Sequence, residues 1–267
     1  MRLLAIDTST DRMSVAVGNG MPGSPPLLHE GPGAAQSSAT LLPVVGDLLS
    51  QQGWALGGLD AIVFARGPGS FTGLRTACAV TQGLAYGAQA QGRAGGVPVL
   101  PVDSLLAVAE EARAARAAAG EPMPQRIVAL LDARMGEMYV AVYACGAEGL
   151  SADSLAAPCL CAPADLAGFL GGVPGALASG TVLAGNVFDV YGEALAGVPG
   201  DRQVAWPSAA ALLRLARALL ASGQAVDAHE AMPLYVRDKV AQTTDERECL
   251  RLAQLATGPQ APAAAQL

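Results

Sequence analysis

The sequence predicts an α/β fold with mixed sheets, divided into two lobes. Three observations support this prediction. A strand-like apolar hairpin opens the chain, and strand-like and helical segments then alternate. The chain has 267 residues, of which 52% are hydrophobic, and this is enough to build two separate cores.

The first residues form the hairpin. Residues 3–6 are predicted to be a buried strand, 7–12 a polar turn and 13–17 the returning strand. A third short strand is expected at 27–30, after a loop rich in proline and glycine.

Two helices follow in the first hundred residues. The first covers about 40–49, with apolar residues at helical spacing and with Pro43 placed in its first turn. A strand at 60–65 and a turn at 66–70 then lead into the second helix, residues 71–87, which carries small residues at four-residue steps. Glycine inside a helix costs about 1 kcal/mol relative to alanine. A compensating contact is therefore expected, either with the sheet beneath or with a partner helix.

The rest of the chain continues the alternation. Strands are expected at 97–102, 127–131, 138–143 and 181–184, with helices at 104–119 and at 209–221, the latter capped by Ser208. Residues 144–163 are predicted to be irregular, and 234–237 extended. The predicted domains are a first lobe at 1–103, completed by a returning segment at about 208–240, a second lobe at 104–207, and a poorly ordered tail at 250–267.

Composition limits the possible partners and compartments. The formal net charge is -7, so the chain alone should bind nucleic acid poorly. No apolar run reaches the roughly 18 residues of a membrane helix, and no signal-peptide cleavage site follows the first strand, which indicates a cytoplasmic protein. Five cysteines without a C-x-x-C pair are expected to be free thiols.

Four segments resemble the TsaB (YeaZ) family: LAIDTST from Leu4, RGPGSFTGLR from Arg66, DARMGEMY from Asp132 and PLYVR from Pro233. The resemblance runs from about residue 3 to residue 240. It implies the two-lobed actin/Hsp70-like (ASKHA) fold and a paralogue of the catalytic subunit TsaD. It also implies a non-catalytic scaffold that binds and activates TsaD, in the complex that moves threonylcarbamoyl from threonylcarbamoyl-adenylate to an adenosine of tRNA near the anticodon.

The resemblance also implies that this chain alone binds no metal and no cofactor. TsaD holds its metal with two histidines at i and i+4 of one helix, a spacing that places both imidazoles on one face. Here the only histidines are His29 and His229, far apart in the chain. Many relatives carry one histidine where this sequence has Ser37. ATP and a metal are therefore expected in the partner subunits, TsaE being the ATPase.

One group of residues could bind an anion or a nucleotide: Asp7, Thr8, Gly67, Gly69, Ser70 and Arg75. Active members of the fold hold phosphate at a turn like 7–10, but Ser9 stands where they have glycine, and its side chain would crowd the phosphate. A structural turn is the favoured interpretation. An ATP-binding enzyme is kept as the alternative, and a protease is a weaker third hypothesis. Asp132 and Arg134 are assigned no catalytic role.

The partner surface is predicted on the two early helices. By resemblance, TsaD packs there to form a heterodimer, TsaE joins, and tRNA is reached only through the complex; the chain alone should form a homodimer. The predicted interface residues are Leu41, Val44, Val45, Leu48, Gly73, Ala77, Val80, Gly83, Leu84 and Gly87.

Overall fold

The computed structural model describes residues 1–33, 36–146 and 149–237. Ten strands and six α-helices lie within these residues. In chain order they are β1 (Leu3–Asp7), β2 (Arg12–Gly18), β3 (Leu27–Pro32), α1 (Ser37–Gln51), β4 (Ala61–Gly67), α2 (Phe71–Gly87), β5 (Val99–Asp103), α3 (Ser104–Ala119), β6 (Arg126–Asp132), β7 (Met138–Gly146), β8 (Gly149–Cys161), α4 (Leu166–Gly171), β9 (Thr181–Gly185), α5 (Phe188–Tyr191), β10 (Asp201–Val204) and α6 (Ala209–Ala221).

The described strands form two five-stranded mixed sheets with the same topology. The first has the order β3-β2-β1-β4-β5, and the second, read in the matching direction, β8-β7-β6-β9-β10. In each sheet the three strands that come first in the chain pair antiparallel with their neighbours. The fourth strand then pairs parallel with the first, and the fifth pairs parallel with the fourth. The predicted α/β class with mixed sheets flanked by helices is confirmed.

Helices α3 and α6 lie in the middle of the core. Side chains of both helices pack together with residues of β1, β4, β6, β7 and β9 in one apolar cluster. Because α3 contacts both sheets, it needs small side chains on several faces, and Ala107, Ala109 and Ala112 are fully buried. The outer face of the first sheet is covered by α1 and α2, and that of the second sheet by α4 and neighbouring segments.

Several predicted elements are confirmed, among them the hairpins, the strand at 27–30 and the cap of α6 by Ser208. Others differ. Helix α1 begins at Ser37, after Gln36 as N-cap, so Pro43 lies inside the helix and not in its first turn. The long strand β8 occupies most of the stretch predicted to be irregular, because its pairing with β7 supplies backbone bonds that its own sequence does not signal.

Residues 1–236 form one compact unit that contains both sheets, and of the second unit, 237–267, only Arg237 is described. The predicted tail at 250–267 and the end of the returning segment, 238–240, lie outside the described residues. The lobe boundaries at residues 103 and 208 remain predictions. None of the helices in the described ranges combines the length and apolarity needed to cross a bilayer.

The glycines of α2 fall into two classes. A Cβ on Gly73 would overlap the carbonyl oxygen of Thr8, so the helix contacts the β1–β2 turn with no room for a side chain. A Cβ on Gly83 would meet no described atom within 4 Å, and one on Gly87 would only approach Leu56 at 3.8 Å. The compensating contact expected for these glycines is thus found at Gly73, with the chain's own β1–β2 turn. At Gly83 the described residues provide no such contact.

This difference predicts opposite effects of one substitution. Gly73→Ala should lower the free energy of unfolding by about 1–3 kcal/mol, because the neighbouring atom is backbone and cannot move aside cheaply. Gly83→Ala should raise it by about 0.5–1 kcal/mol, because alanine is the better helix former and the site is open. Urea denaturation of both variants, at a protein concentration low enough for the chain to be monomeric, measures this. Equal effects at the two positions would contradict the assigned packing of α2.

Candidate functional site

The start of α2 is bonded to the β1–β2 turn. The Ser70 side chain caps the helix by accepting from the Gly73 N–H, and the Ser70 N–H donates to the Ser9 carbonyl oxygen at 2.7 Å. In return, the Thr8 hydroxyl donates to the Gly73 carbonyl oxygen at 2.7 Å. The two segments that could have formed a phosphate site therefore hydrogen-bond to each other through these polar groups.

Asp7 lies at the end of β1 and is 1% exposed. Its Oδ1 accepts from the Ser9 N–H at 2.7 Å and from the Ser9 hydroxyl at 2.9 Å. Its Oδ2 is buried without a hydrogen-bond partner among the described residues. Burial raises the pKa of Asp7 to about 6, although the hydrogen bonds from Ser9 act in the opposite direction.

The glycines of the β4–α2 turn are there for close packing. Gly67 has φ of 121°, a backbone conformation that favours glycine, and a Cβ on it would lie 2.6 Å from the Leu234 carbonyl oxygen. A Cβ on Gly69 would overlap the carbonyl oxygen of Ser9. The structure thus brings together Asp7, Thr8, Gly67, Gly69 and Ser70, as predicted, but in a tightly packed contact.

Arg75 is engaged elsewhere. Its guanidinium stacks 3.7 Å from the centre of the Phe71 ring, and its Nε donates to the Tyr235 hydroxyl at 3.0 Å. The Phe71 and Tyr235 rings also contact each other, with centroids 5.2 Å apart. These contacts occupy the group that was expected to reach an anion.

Half of the predicted partner surface is wrong, because its residues are buried in this chain's own core. They are Leu41, Val45, Leu48, Gly73 and Ala77. The apolar stripe of each helix packs against the first sheet, so helical spacing identified the inner face. Of the other five, Val44, Val80 and Leu84 are half-buried, while Gly83 and Gly87 are exposed.

The outward face of α1 and α2 contains further residues that the sequence analysis missed. Leu42 is 53% exposed and Tyr86 is 48% exposed, and Gly46 and Ala79 are exposed as well. A Cβ on Gly46, as on Gly83, would meet no described atom within 4 Å. The sequence feature that could have identified this face is a large apolar residue just outside the apolar stripe of its helix, such as Leu42.

This outward face is almost free of charge. Helix α1 has Asp47 as its only charged residue, and α2 has only Arg75, which stacks on Phe71. Low charge with exposed apolar and aromatic side chains is typical of the core of a protein interface. The small residues leave room for another backbone to approach closely. We call Leu42, Val44, Gly46, Ala79, Val80, Gly83, Leu84, Tyr86 and Gly87 the α1–α2 face.

Asp132 occupies in the second sheet the place that Asp7 has in the first. Each ends the first strand of its sheet, and each accepts from the N–H two residues on, here that of Arg134 at 2.9 Å. Asp132 Oδ1 also accepts from the Tyr191 hydroxyl at 2.9 Å. Burial raises the pKa of Tyr191, and this hydrogen bond raises it further. Arg134 and Met135 both have positive φ, so this carboxylate holds a tight turn.

Comparison with known proteins agrees with this architecture. Residues 32–245 match the family model described as TsaD, tRNA N6-adenosine threonylcarbamoyltransferase. The chain is 32% identical over 248 residues to the tRNA threonylcarbamoyladenosine biosynthesis protein TsaB of Escherichia coli (strain K12), covering 90% of this chain and 96% of that one. It is 38% identical over 146 residues to the protein of the same name from Haemophilus influenzae, covering 52% of each chain.

Solved structures from Pseudomonas aeruginosa are similar in fold and in sequence. One is described as an uncharacterized protein with similarity to peptidase YEAZ, with a TM-score of 0.73 and 33% identity over 88% of this chain and 99% of that one. Another, described as YeaZ, has a TM-score of 0.71 and 34% identity over the same shares. Because the chain is 32% identical to the Escherichia coli protein over 96% of that protein's length, and similar to both solved structures over 99% of theirs, it belongs to the TsaB (YeaZ) family.

Proposed function

We propose that the chain is a non-catalytic subunit that binds and activates TsaD for the transfer of threonylcarbamoyl from threonylcarbamoyl-adenylate to an adenosine of tRNA. The relatives' name, tRNA threonylcarbamoyladenosine biosynthesis protein, supports the pathway. The α1–α2 face carries the proposal of a partner subunit, since it combines exposed apolar residues, small residues and almost no charge.

The proposed division of labour assigns the chemistry to other subunits. In this chain the Thr8–Ser9 turn and the Gly67–Gly73 segment bond to each other, and Ser9 occupies Oδ1 of Asp7. His29 lies on β3 and His229 on a short 3₁₀ helix at 228–230, so the two histidines do not share an element. The metal is proposed to belong to TsaD and the ATP hydrolysis to TsaE, with tRNA bound through the complex.

The same face accounts for a homodimer in the absence of TsaD. Exposed apolar area on a nearly uncharged face is unfavourable in water and is covered by whichever complementary surface is present. Two copies of this face can meet about a two-fold axis because each presents the same patch. The TsaD heterodimer and the homodimer are therefore expected to exclude each other.

A charge on the α1–α2 face should prevent both associations. Gly83→Arg places a long cation in the middle of the face, where its desolvation is not compensated. We expect the Kd for the same organism's TsaD to rise at least about thirtyfold, the effect of losing one interface hot spot. Titration calorimetry measures this Kd, and sedimentation velocity measures the loss of the homodimer. An assay with purified TsaD, TsaE and threonylcarbamoyl-adenylate measures the loss of tRNA modification.

Gly168→Arg is the matched control. Gly168 is an exposed glycine in α4, and a Cβ on it would also meet no described atom within 4 Å. The same substitution there should leave TsaD binding and transfer unchanged. Full TsaD binding by the Gly83→Arg variant would rule out the α1–α2 face as the interface, and transfer activity in the chain without TsaD would refute the non-catalytic role.

The ATP-binding alternative has one observation in its favour, the buried Oδ2 of Asp7 without a described partner. A magnesium ion there would need the ionised carboxylate, whose pKa of about 6 means that it is mostly neutral at pH 5 and mostly charged at pH 8. We expect no calorimetric heat from millimolar Mg–ATP with the isolated chain at either pH. Binding that is strong at pH 8, weak at pH 5 and lost in Asp7→Asn would establish the alternative instead.

A further inference from the structure

A cleft of about 1200 Å³ opens away from the Asp7 turn. One wall is the loop after β2, residues 20–26. This loop follows Gly18, which pairs with Leu3 at the start of β1, whereas Asp7 lies at the other end of that strand. Helices α3 and α6 and the adjoining ends of β7 and β8 form the other walls. No residue of α1 or α2 lines this cleft, so it is separate from the proposed partner surface.

The cleft is positively charged although the protein is acidic. Three arginines line it, Arg113, Arg214 and Arg217. Two carboxylates pair with them, Glu110 in the lining and Glu111 beside Arg214, which leaves one positive charge in excess. The whole chain has a formal net charge of -7. A local excess of arginine in an acidic chain favours the entry of an anion over that of a cation.

Glu110 neutralises only part of this charge. It is 3% exposed and accepts from Arg113 Nε at 2.7 Å and from Arg214 Nε at 2.8 Å, so one carboxylate serves two guanidinium groups. A second carboxylate, that of Glu111, accepts from Arg214 Nη2 at 2.9 Å. These hydrogen bonds join the side chains of α3 and α6 along one side of the cleft.

Arg217 differs from the other two arginines. Within the described residues its only hydrogen bond is a long one, 3.5 Å from Nη1 to the Asn19 carbonyl oxygen, and no carboxylate there pairs with it. The side chain is half-buried. A guanidinium has five N–H donors and binds carboxylate or phosphate through two of them at once, so most of its capacity here is unused.

Most of the remaining lining is apolar, with Ser24 and Gln125 as polar exceptions. Met123 is 45% exposed at the cleft, and Leu150, Leu213 and Pro26 line it as well. Ligand sites commonly combine apolar walls with a few fixed polar groups that orient the ligand. We propose that this cleft binds a small organic anion whose carboxylate or phosphate head pairs with Arg217 and whose aliphatic or aromatic body lies against these apolar residues.

Titration calorimetry on the full chain tests this proposal with three probes of one chain length: octanoate, octyl phosphate and 1-octanol. Both anions should bind saturably, with 1-octanol at least about tenfold weaker, because the alcohol cannot pair with a cation. The tighter of the two anions identifies the head group. Arg217→Gln should weaken both anions about tenfold or more and bring their affinities near that of 1-octanol.

Two further variants separate charge from shape. Arg2→Gln removes a cation outside the cleft, one that lies over Trp54, and should leave all three affinities unchanged. Ala218 is an exposed residue of α6 that lines the cleft. Ala218→Trp should fill the apolar part of the cleft and weaken the binding of all three probes, 1-octanol included. Thermal melts establish that each variant is folded.

Three results would overturn the proposal: no saturable binding of either anion by the unmodified chain, equal affinity for 1-octanol, or unchanged anion binding by Arg217→Gln. None of them bears on the role of the α1–α2 face, because the two sites share no residue. Conversely, loss of TsaD binding by Gly83→Arg leaves the expected affinities of the cleft unchanged.

Discussion

The contact between the β1–β2 turn and the start of α2 determines how the first sheet presents its helices. Gly69 and Gly73 have no side chains, which lets the helix approach the carbonyl oxygens of Thr8 and Ser9 closely, and the Ser70 N–H and the Thr8 hydroxyl then bond across the contact. A helix held this firmly at one end has a fixed rotation about its axis. That rotation turns Ala77 toward the core and Gly83 toward solvent.

The two sheets repeat one topology, but their equivalent turns are used differently. Each sheet places an aspartate at the end of its first strand, and each carboxylate accepts an N–H from two residues further on. In the first sheet the turn closes against α2 and leaves Asp7 buried. In the second, Asp132 is partly accessible and bonds to Tyr191. Repetition of the backbone therefore does not imply repetition of a site.

Charge is distributed unevenly over this acidic protein. The α1–α2 face is nearly neutral, and the cleft beside α3 and α6 carries an excess of arginine. Desolvating a charge is costly, so a neutral face suits a protein partner, whereas Arg217, which no described carboxylate pairs with, suits a small anion. The net charge bears on binding to nucleic acid, but the arrangement of these few residues defines the two surfaces.

The sequence by itself determined the α/β class, both hairpins, the helix after the glycine-rich turn and the cap of α6 by Ser208. These features depend on residues close together in the chain, where turn chemistry and apolar spacing act directly. It also grouped Asp7, Thr8, Gly67, Gly69 and Ser70 as one possible anion or nucleotide site, and binding at that site stays a prediction.

Only the tertiary structure decided which face of each helix is free. Helical spacing shows that Leu41, Val45 and Leu48 share a face, but not whether that face meets the chain's own sheet or a partner. Strand β8 and the arginine cleft were missed for a related reason. Strand β8 is defined by its pairing with β7, and the cleft joins residues about a hundred positions apart, as in the bond between Glu110 and Arg214. Such long-range contacts leave no periodic mark on the local sequence.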